Sequence, residues 1–249
     1  KEELPAGQPL LARLADAIGE SPNDHDLKSA ADAFSDRFDL SIYDMLYNTF
    51  TVSDVLQYQK DILSLPWARI YTTNYDDMVN FVKGPAYPIF SFDDVRPKSL
   101  PQSFAVYLHG SIRKANEENA ESQLILNSRS YDLIARDHPT WFYEFQRDRR
   151  AFDACFFMGF SLGDHHIAGL MAAGEISASH TYFITRDPPN ASLAKRGSPF
   201  GVIEPIGFDG FAALSRSLPQ PPKPANLQSL RSFKYLHRGI DAKPLVEPT

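Results

Sequence analysis

Arg69-Ile70-Tyr71-Thr72-Thr73-Asn74-Tyr75-Asp76-Asp77 is a short β-branched and aromatic run that breaks into amide and carboxylate residues and then into a helical pattern. Ile70, Tyr71, Thr72 and Thr73 favour a pleated, half-buried strand. Asn74 and Asp76 can accept from free backbone N–H groups where the next helix, Asp77 to Val82, begins. The stretch reads as the carboxyl end of a buried strand. A helix cap alone would account for one such end, but two more follow. Phe104 to Leu108 runs into His109-Gly110-Ser111, and Ala154 to Met158 runs into Gly159-Phe160-Ser161-Leu162-Gly163-Asp164. In an open α/β sheet, ligands bind outside the carboxyl ends of the strands, so the three ends together mark a candidate site.

Before this strand the chain is helical in pattern. Leu10, Leu11, Leu14, Ala15 and Ile18 recur at helical spacing, and Gly19 is placed to end that helix. From Asp26 to Leu65 further stripes follow, with Ser53-Asp54 as a start signal. After the strand and its helix, Pro85 to Gln102 carries four prolines and reads as a connection across the sheet surface, with Ile89 to Phe92 as a possible short strand. The polar segment Ile112 to Ser122 reads as a mobile loop. Ser130-Tyr131-Asp132 opens a helical segment, and Trp141, Phe142, Phe145 and Phe152 suggest a helix that packs inward. Ile167, Leu170 and Met171 give one more helix, Thr181 to Thr185 and Val202 to Ile206 give strands, and Phe211 to Leu218 a closing helix.

Strands alternating with helices at this spacing predict an α/β fold, a mainly parallel sheet with helices on both faces. The expected organisation is one domain over 1–218, then a proline-rich linker and a fragment over 219–249 leading to another domain or partner. The opening residues lack an initiating Met, which predicts that the chain starts inside a longer one.

Composition narrows the function classes. A net charge of −6 and pI near 5.6 give no general electrostatic reason to bind nucleic acid. No apolar run approaches a membrane span, and the start has neither the basic residues nor the apolar core of a secretory signal. One cysteine, Cys155, forbids an intrachain disulfide and a cysteine-based zinc site. It reads as a small buried hydrophobe, and the whole fits a cytoplasmic protein. His165-His166 reads as a solvated helix start and not as a metal site, because adjacent residues point apart on a helix.

Gly159-Phe160-Ser161-Leu162-Gly163 also matches the G-x-S-x-G elbow of serine hydrolases, after a strand and before a helix. That alternative makes Ser161 the nucleophile, His109-Gly110 an oxyanion-hole segment, and Asp187 and His237 the rest of a triad. His237 lies past the proline linker, His180 comes before Asp187 in the wrong order, and Asn74 is left without a task.

Thr72-Thr73-Asn74-Tyr75-Asp76, Leu108-His109-Gly110-Ser111 and Met158 to Asp164, in that order, resemble the sirtuin superfamily, and specifically the sirtuin-like NAD-consuming domains of bacterial anti-phage defence systems. The resemblance covers about Leu4 to Leu218. It implies a Rossmann-like sheet with NAD across the strand ends, NAD being the substrate. It places Asn74 and Asp76 beside the nicotinamide ribose, makes Asn74 and His109 catalytic, and puts Thr73, Tyr75, Asp76, Gly159 and Ser161 in contact with NAD. Sirtuin deacetylases carry a four-cysteine zinc module after the catalytic histidine; Ile112 to Arg150 holds no cysteine, so no zinc is expected and NAD hydrolysis is favoured over deacylation. The family opens with a strand and a glycine-rich turn that hold the diphosphate, expected here upstream of Lys1. The implied role is an NAD hydrolase in abortive anti-phage defence. It would work as a homo-oligomer or with a partner defence protein, such as an ATPase or helicase, an Argonaute-like protein or a sensor module. A non-catalytic nucleotide-binding or assembly domain is the alternative.

Overall fold

The computed structural model of the protein describes residues 7–24, 27–38, 43–126, 140–159, 180–186 and 200–217. The chain divides into two compact units, Lys1–Ser215 and Arg216–Thr249, and both sheets belong to the first. The described strands form two three-stranded sheets, and every pairing is parallel. One sheet has β1 (Arg69–Thr72), β3 (Phe104–Tyr107) and β2 (Ile89–Ser91) side by side in that order; the other has β4 (Cys155–Met158), β5 (Thr181–Ile184) and β6 (Val202–Glu204).

β3 lies between its neighbours, with Arg69 opposite Phe104 and Ile89 opposite Ala105. Its four residues are all buried, as expected of a central parallel strand covered on both faces and therefore apolar throughout. On one face Ala105, Tyr107, Ile70 and Ile89 meet Leu63 of α4 (Gln57–Ser64) and Val79 of α5 (Met78–Lys83). On the other face Phe104, Val106, Tyr71 and Phe90 meet Trp141, Phe142 and Phe145 of α7 (Thr140–Ala151). The expected parallel α/β architecture with helices on both faces is therefore present.

Aromatic side chains join the two sheets. Phe145 contacts Tyr71 from β1 and Phe157 from β4, at ring separations of 5.1 and 6.3 Å. On the opposite face Trp67 and Phe156 meet at 5.7 Å, and Phe211 of α8 (Gly207–Ser217) packs on both. At the amino end of β1, Arg69 donates to Asp148 at 3.0 Å and lies over the Phe104 ring, while the Tyr71 hydroxyl donates to the same carboxylate at 2.6 Å. Asp148 is buried and thus doubly satisfied, the condition under which a carboxylate is tolerated inside a fold.

The first helices, α1 (Gly7–Ile18), α2 (Leu27–Phe38) and α3 (Tyr43–Phe50), do not cover a sheet face. Leu14, Ala30, Ala31, Leu46 and Phe50 pack instead on Tyr75, Ile112, Ala115, Ala120, Leu124 and Leu126, the segments that leave β1 and β3. This corrects the reading of Ile112 to Ser122 as a mobile loop. Ile112, Ala115 and Ala120 are buried, Asn116 and Asn119 cap turns within the segment, and α6 (Ala120–Gln123) follows. Three small anchors at irregular spacing suffice to bury it, and they give no periodic signal.

Two boundaries also differ. Ser53-Asp54 does not start a helix: Asp54 caps the Val55 N–H at 2.8 Å, and α4 begins at Gln57, where the Gln59 side chain accepts from the Leu56 N–H. The short strand expected at Ile89 to Phe92 is present and ends one residue earlier, as Ile89–Ser91, paired in the sheet. The helices expected at Ser130 to Asp132 and at Ile167 to Met171, and the proline linker 219–224, lie outside the described residues.

Candidate functional site

β1 and β3 stay attached beyond their strand ends, and this creates the site. The Leu108 N–H donates to the Thr72 carbonyl at 2.8 Å, the Ile112 N–H to the Tyr75 carbonyl at 2.9 Å, and Arg113 Nε to Asp77 Oδ2 at 2.7 Å. Asn74 lies between the first two ties on one turn, and His109 lies between them on the other. The structure thus brings these two expected catalytic residues into adjoining turns at the carboxyl edge of the sheet.

On the β1 turn, the Thr72 hydroxyl accepts the Asn74 N–H at 3.0 Å, a local turn that lifts residue 74 out of the strand. Thr73 is half-buried and Asn74 exposed. Asp76 is buried and accepts the Met78 N–H at 3.0 Å, so it caps α5. Burial pushes its carboxyl above the ordinary value, while the Met78 N–H and a hydrogen bond from the Asn74 side chain pull the other way. That bond orients the Asn74 amide and leaves its carbonyl oxygen as an acceptor for a ligand or water. The Tyr75 side chain belongs to the core: its ring meets Phe50 edge-on at 5.5 Å, and its hydroxyl donates to the Ile125 carbonyl at 2.7 Å.

On the β3 turn, His109 is buried, with 2% of its surface exposed and its Nε2 atom sealed from solvent. Its carbonyl accepts the Ile125 N–H at 3.0 Å, so Ile125 braces both turns. Gly110 has φ +89°, and a Cβ there would lie 1.8 Å from the Gln123 carbonyl oxygen. Only glycine lets this backbone turn so sharply and so close. Ser111 is buried; its carbonyl accepts the Lys114 N–H at 2.9 Å and its hydroxyl the Arg113 N–H at 3.3 Å.

The third strand end is described only as far as Gly159, whose φ of +67° makes the sharp exit from β4 that its sequence suggests. Ser161, Asp164, His165, Asp187 and His237 lie outside the described residues. Cys155, at the opposite end of β4, has its thiol pushed up to about 11 by burial despite the Arg149 guanidinium beside it, which keeps it protonated and unreactive.

Two features of the site escape sequence reasoning. Asp77 reads in sequence only as the start of a helix, and yet its carboxylate is spent on distant partners. The β2 end belongs beside the other strand ends: Asp94 accepts the Ser91 N–H at 2.7 Å and pairs with Lys114, and Asp93 accepts from Gln123 at 2.9 Å. The signal available for it is Ser91-Phe92-Asp93-Asp94 itself, a run that breaks into carboxylates as the β1 run does.

Fold and site define a class, the doubly wound parallel α/β domains that take a ligand across the strand ends. The model of one family, the SIR2-like domain, matches residues 68–198, a span that contains all three strand ends. The chain belongs to the SIR2-like domain family, whose members are linked to NAD. No curated protein matches the chain. Among the described residues no helix is long and apolar enough to cross a membrane.

Proposed function

We propose that this domain is an NAD hydrolase that cleaves the bond between nicotinamide and ribose, with water as the acceptor, giving nicotinamide, ADP-ribose and a proton. The observation that carries the reading is the tying of the Asn74 turn to the His109 turn at the carboxyl edge of a SIR2-like sheet. Glycosidic cleavage passes through an oxocarbenium-like state, and nicotinamide leaves as a neutral molecule, so no strong general acid is needed. The protein has to hold the ribose and position the water. Asn74, held through Asp76, suits the orienting role, since an amide donates and accepts at once. His109 offers an imidazole, a group that can take the proton from water or a ribose hydroxyl. In this reading Asp76 and Thr73 serve the ribose, and Gly159, with Ser161 two residues on in the sequence, supplies further NAD contacts.

The burial of His109 fits an enzyme held inactive. Turnover requires its cover to move, which fits activation by assembly with further copies or with a partner; NAD depletion in anti-phage defence is the outcome this reading carries over from the resemblance. The same burial is what favours the second reading, a domain that binds a nucleotide without turning it over. Nicotinamide release by the protein, alone and with the products of any neighbouring genes added, decides between them: release supports the hydrolase, and NAD affinity without release supports the binding domain.

A further inference from the structure

Aspartate at a helix start normally caps that helix, and Asp77 precedes α5. Its side chain makes no cap; the neighbouring Asp76 does so instead. The Asp77 carboxylate, 1% exposed, reaches two distant segments: Oδ1 accepts the Val52 N–H at 2.7 Å and Oδ2 accepts Arg113 Nε at 2.7 Å. Its own N–H donates to the Phe50 carbonyl at 3.3 Å. Three segments therefore meet at one buried carboxylate: the exit from α3, the Asn74 turn and the His109 turn. The Arg113 side chain is 59% exposed while the carboxylate it pairs is 1% exposed, so the guanidinium keeps a buried charge paired. It also supplies geometry. Ser111 binds the N–H groups of both Arg113 and Lys114, so Arg113 and His109 sit on one self-braced turn. Holding the guanidinium holds the histidine.

We propose that the Asp77–Arg113 pair is a positioning device that sets His109 against Asn74 for reaction. It rests on the NAD hydrolase reading and adds to it two residues that touch no reacting atom. Of the three ties between the turns, this one is made by side chains and so can be removed by substitution with the backbone ties left in place.

The test uses Arg113→Gln, Asp77→Asn, the double variant and Arg113→Lys in the complete protein, with kcat, KM, thermal midpoint and amide exchange as readouts. Because misplacing a catalytic group by an ångström is costly, Arg113→Gln should lower kcat by about tenfold or more with KM unchanged. The Ile112 and Ile125 amides, which brace the two turns, should exchange faster by more than the fall in thermal midpoint from the less well paired Asp77 carboxylate accounts for. Arg113→Lys should recover part of kcat, and the double variant should be no worse than the poorer single, since both break one pair. Unchanged kcat and unchanged exchange in Arg113→Gln, against an active wild type, overturn the positioning role alone; so do losses that simply add in the double variant. A wild-type protein with no turnover under any activating condition overturns the hydrolase reading, and this role with it.

Discussion

The Ile112 amide donates to the Tyr75 carbonyl at 2.9 Å, and with that bond the turn carrying His109 is laid against the turn carrying Asn74. Two residues 35 positions apart in the sequence become neighbours because parallel pairing continues past the ends of β1 and β3. Catalysis as proposed depends on this continuation, and each link in it can be tested.

Asn74 is exposed, so Asn74→Ala should leave the stability within about 0.5 kcal/mol of wild type. Nicotinamide release should nevertheless fall by about 10²-fold or more, the loss expected for a positioned catalytic group. His109→Ala should give a similar loss, with circular dichroism and thermal melting used to confirm that the fold survives. Ser161→Ala should be milder. The reverse ranking, with ester hydrolysis dependent on Ser161 and indifferent to Asn74, would favour the elbow.

Glycine substitutions should separate strain from crowding. Gly19 has φ +74° and nothing within 4 Å of a built Cβ, whereas at Gly110 the added atom meets the Gln123 carbonyl oxygen at 1.8 Å. Gly19→Ala should cost roughly 1–2 kcal/mol, the ordinary penalty of the left-handed region. Gly110→Ala should cost more, since crowding adds about 1–3 kcal/mol to the strain, and it should disturb the His109 turn. Denaturant midpoints at a constant slope measure both.

Asp76 makes a prediction about pH. Its folded-state value is raised above the ordinary 3.8, with burial as the main cause. The folded protein therefore holds this proton more tightly than the unfolded chain does. Stability contributed by Asp76 is largest below 3.8 and is lost as pH rises through the window up to the folded value. Asp76→Asn, which keeps an acceptor for the Met78 N–H, should be at least as stable as wild type at neutral pH, with the difference fading in acid. It should still lose nicotinamide release, because the amide cannot replace a carboxylate that orients Asn74. Melting curves from about pH 3 to pH 8, beside activity assays, check both halves.

Tyr75→Phe should leave the ring contact with Phe50 and orphan the buried Ile125 carbonyl, at a cost of about 1–3 kcal/mol. Ile125 also donates to the His109 carbonyl, so faster exchange of the Ile125 amide should accompany the loss. An unchanged unfolding midpoint would show that this hydroxyl braces nothing.

Much of the fold is legible in the sequence, for a physical reason. β3 is buried on both faces and so reads as an unbroken apolar run, and α7 shows itself through Trp141, Phe142 and Phe145 on one stripe. Local chemistry also marks Asn74, Asp76 and the His109-Gly110 turn. β2 is harder, because the prolines around it outweigh three strand residues. The burial of Ile112, Ala115 and Ala120 is illegible, since their spacing follows neither helix nor strand. Asp77 is obscure for a different reason: its partners Val52 and Arg113 lie 25 and 36 residues away, and no local pattern announces a tertiary bond.

The most direct measurement is chromatographic detection of nicotinamide and ADP-ribose after NAD is incubated with the protein, in its resting state and with the products of any neighbouring genes added. Equimolar nicotinamide and ADP-ribose, formed by wild type and lost in Asn74→Ala and His109→Ala, is the predicted result. NAD left intact under every activating condition, or hydrolysed equally well by both variants, would contradict it.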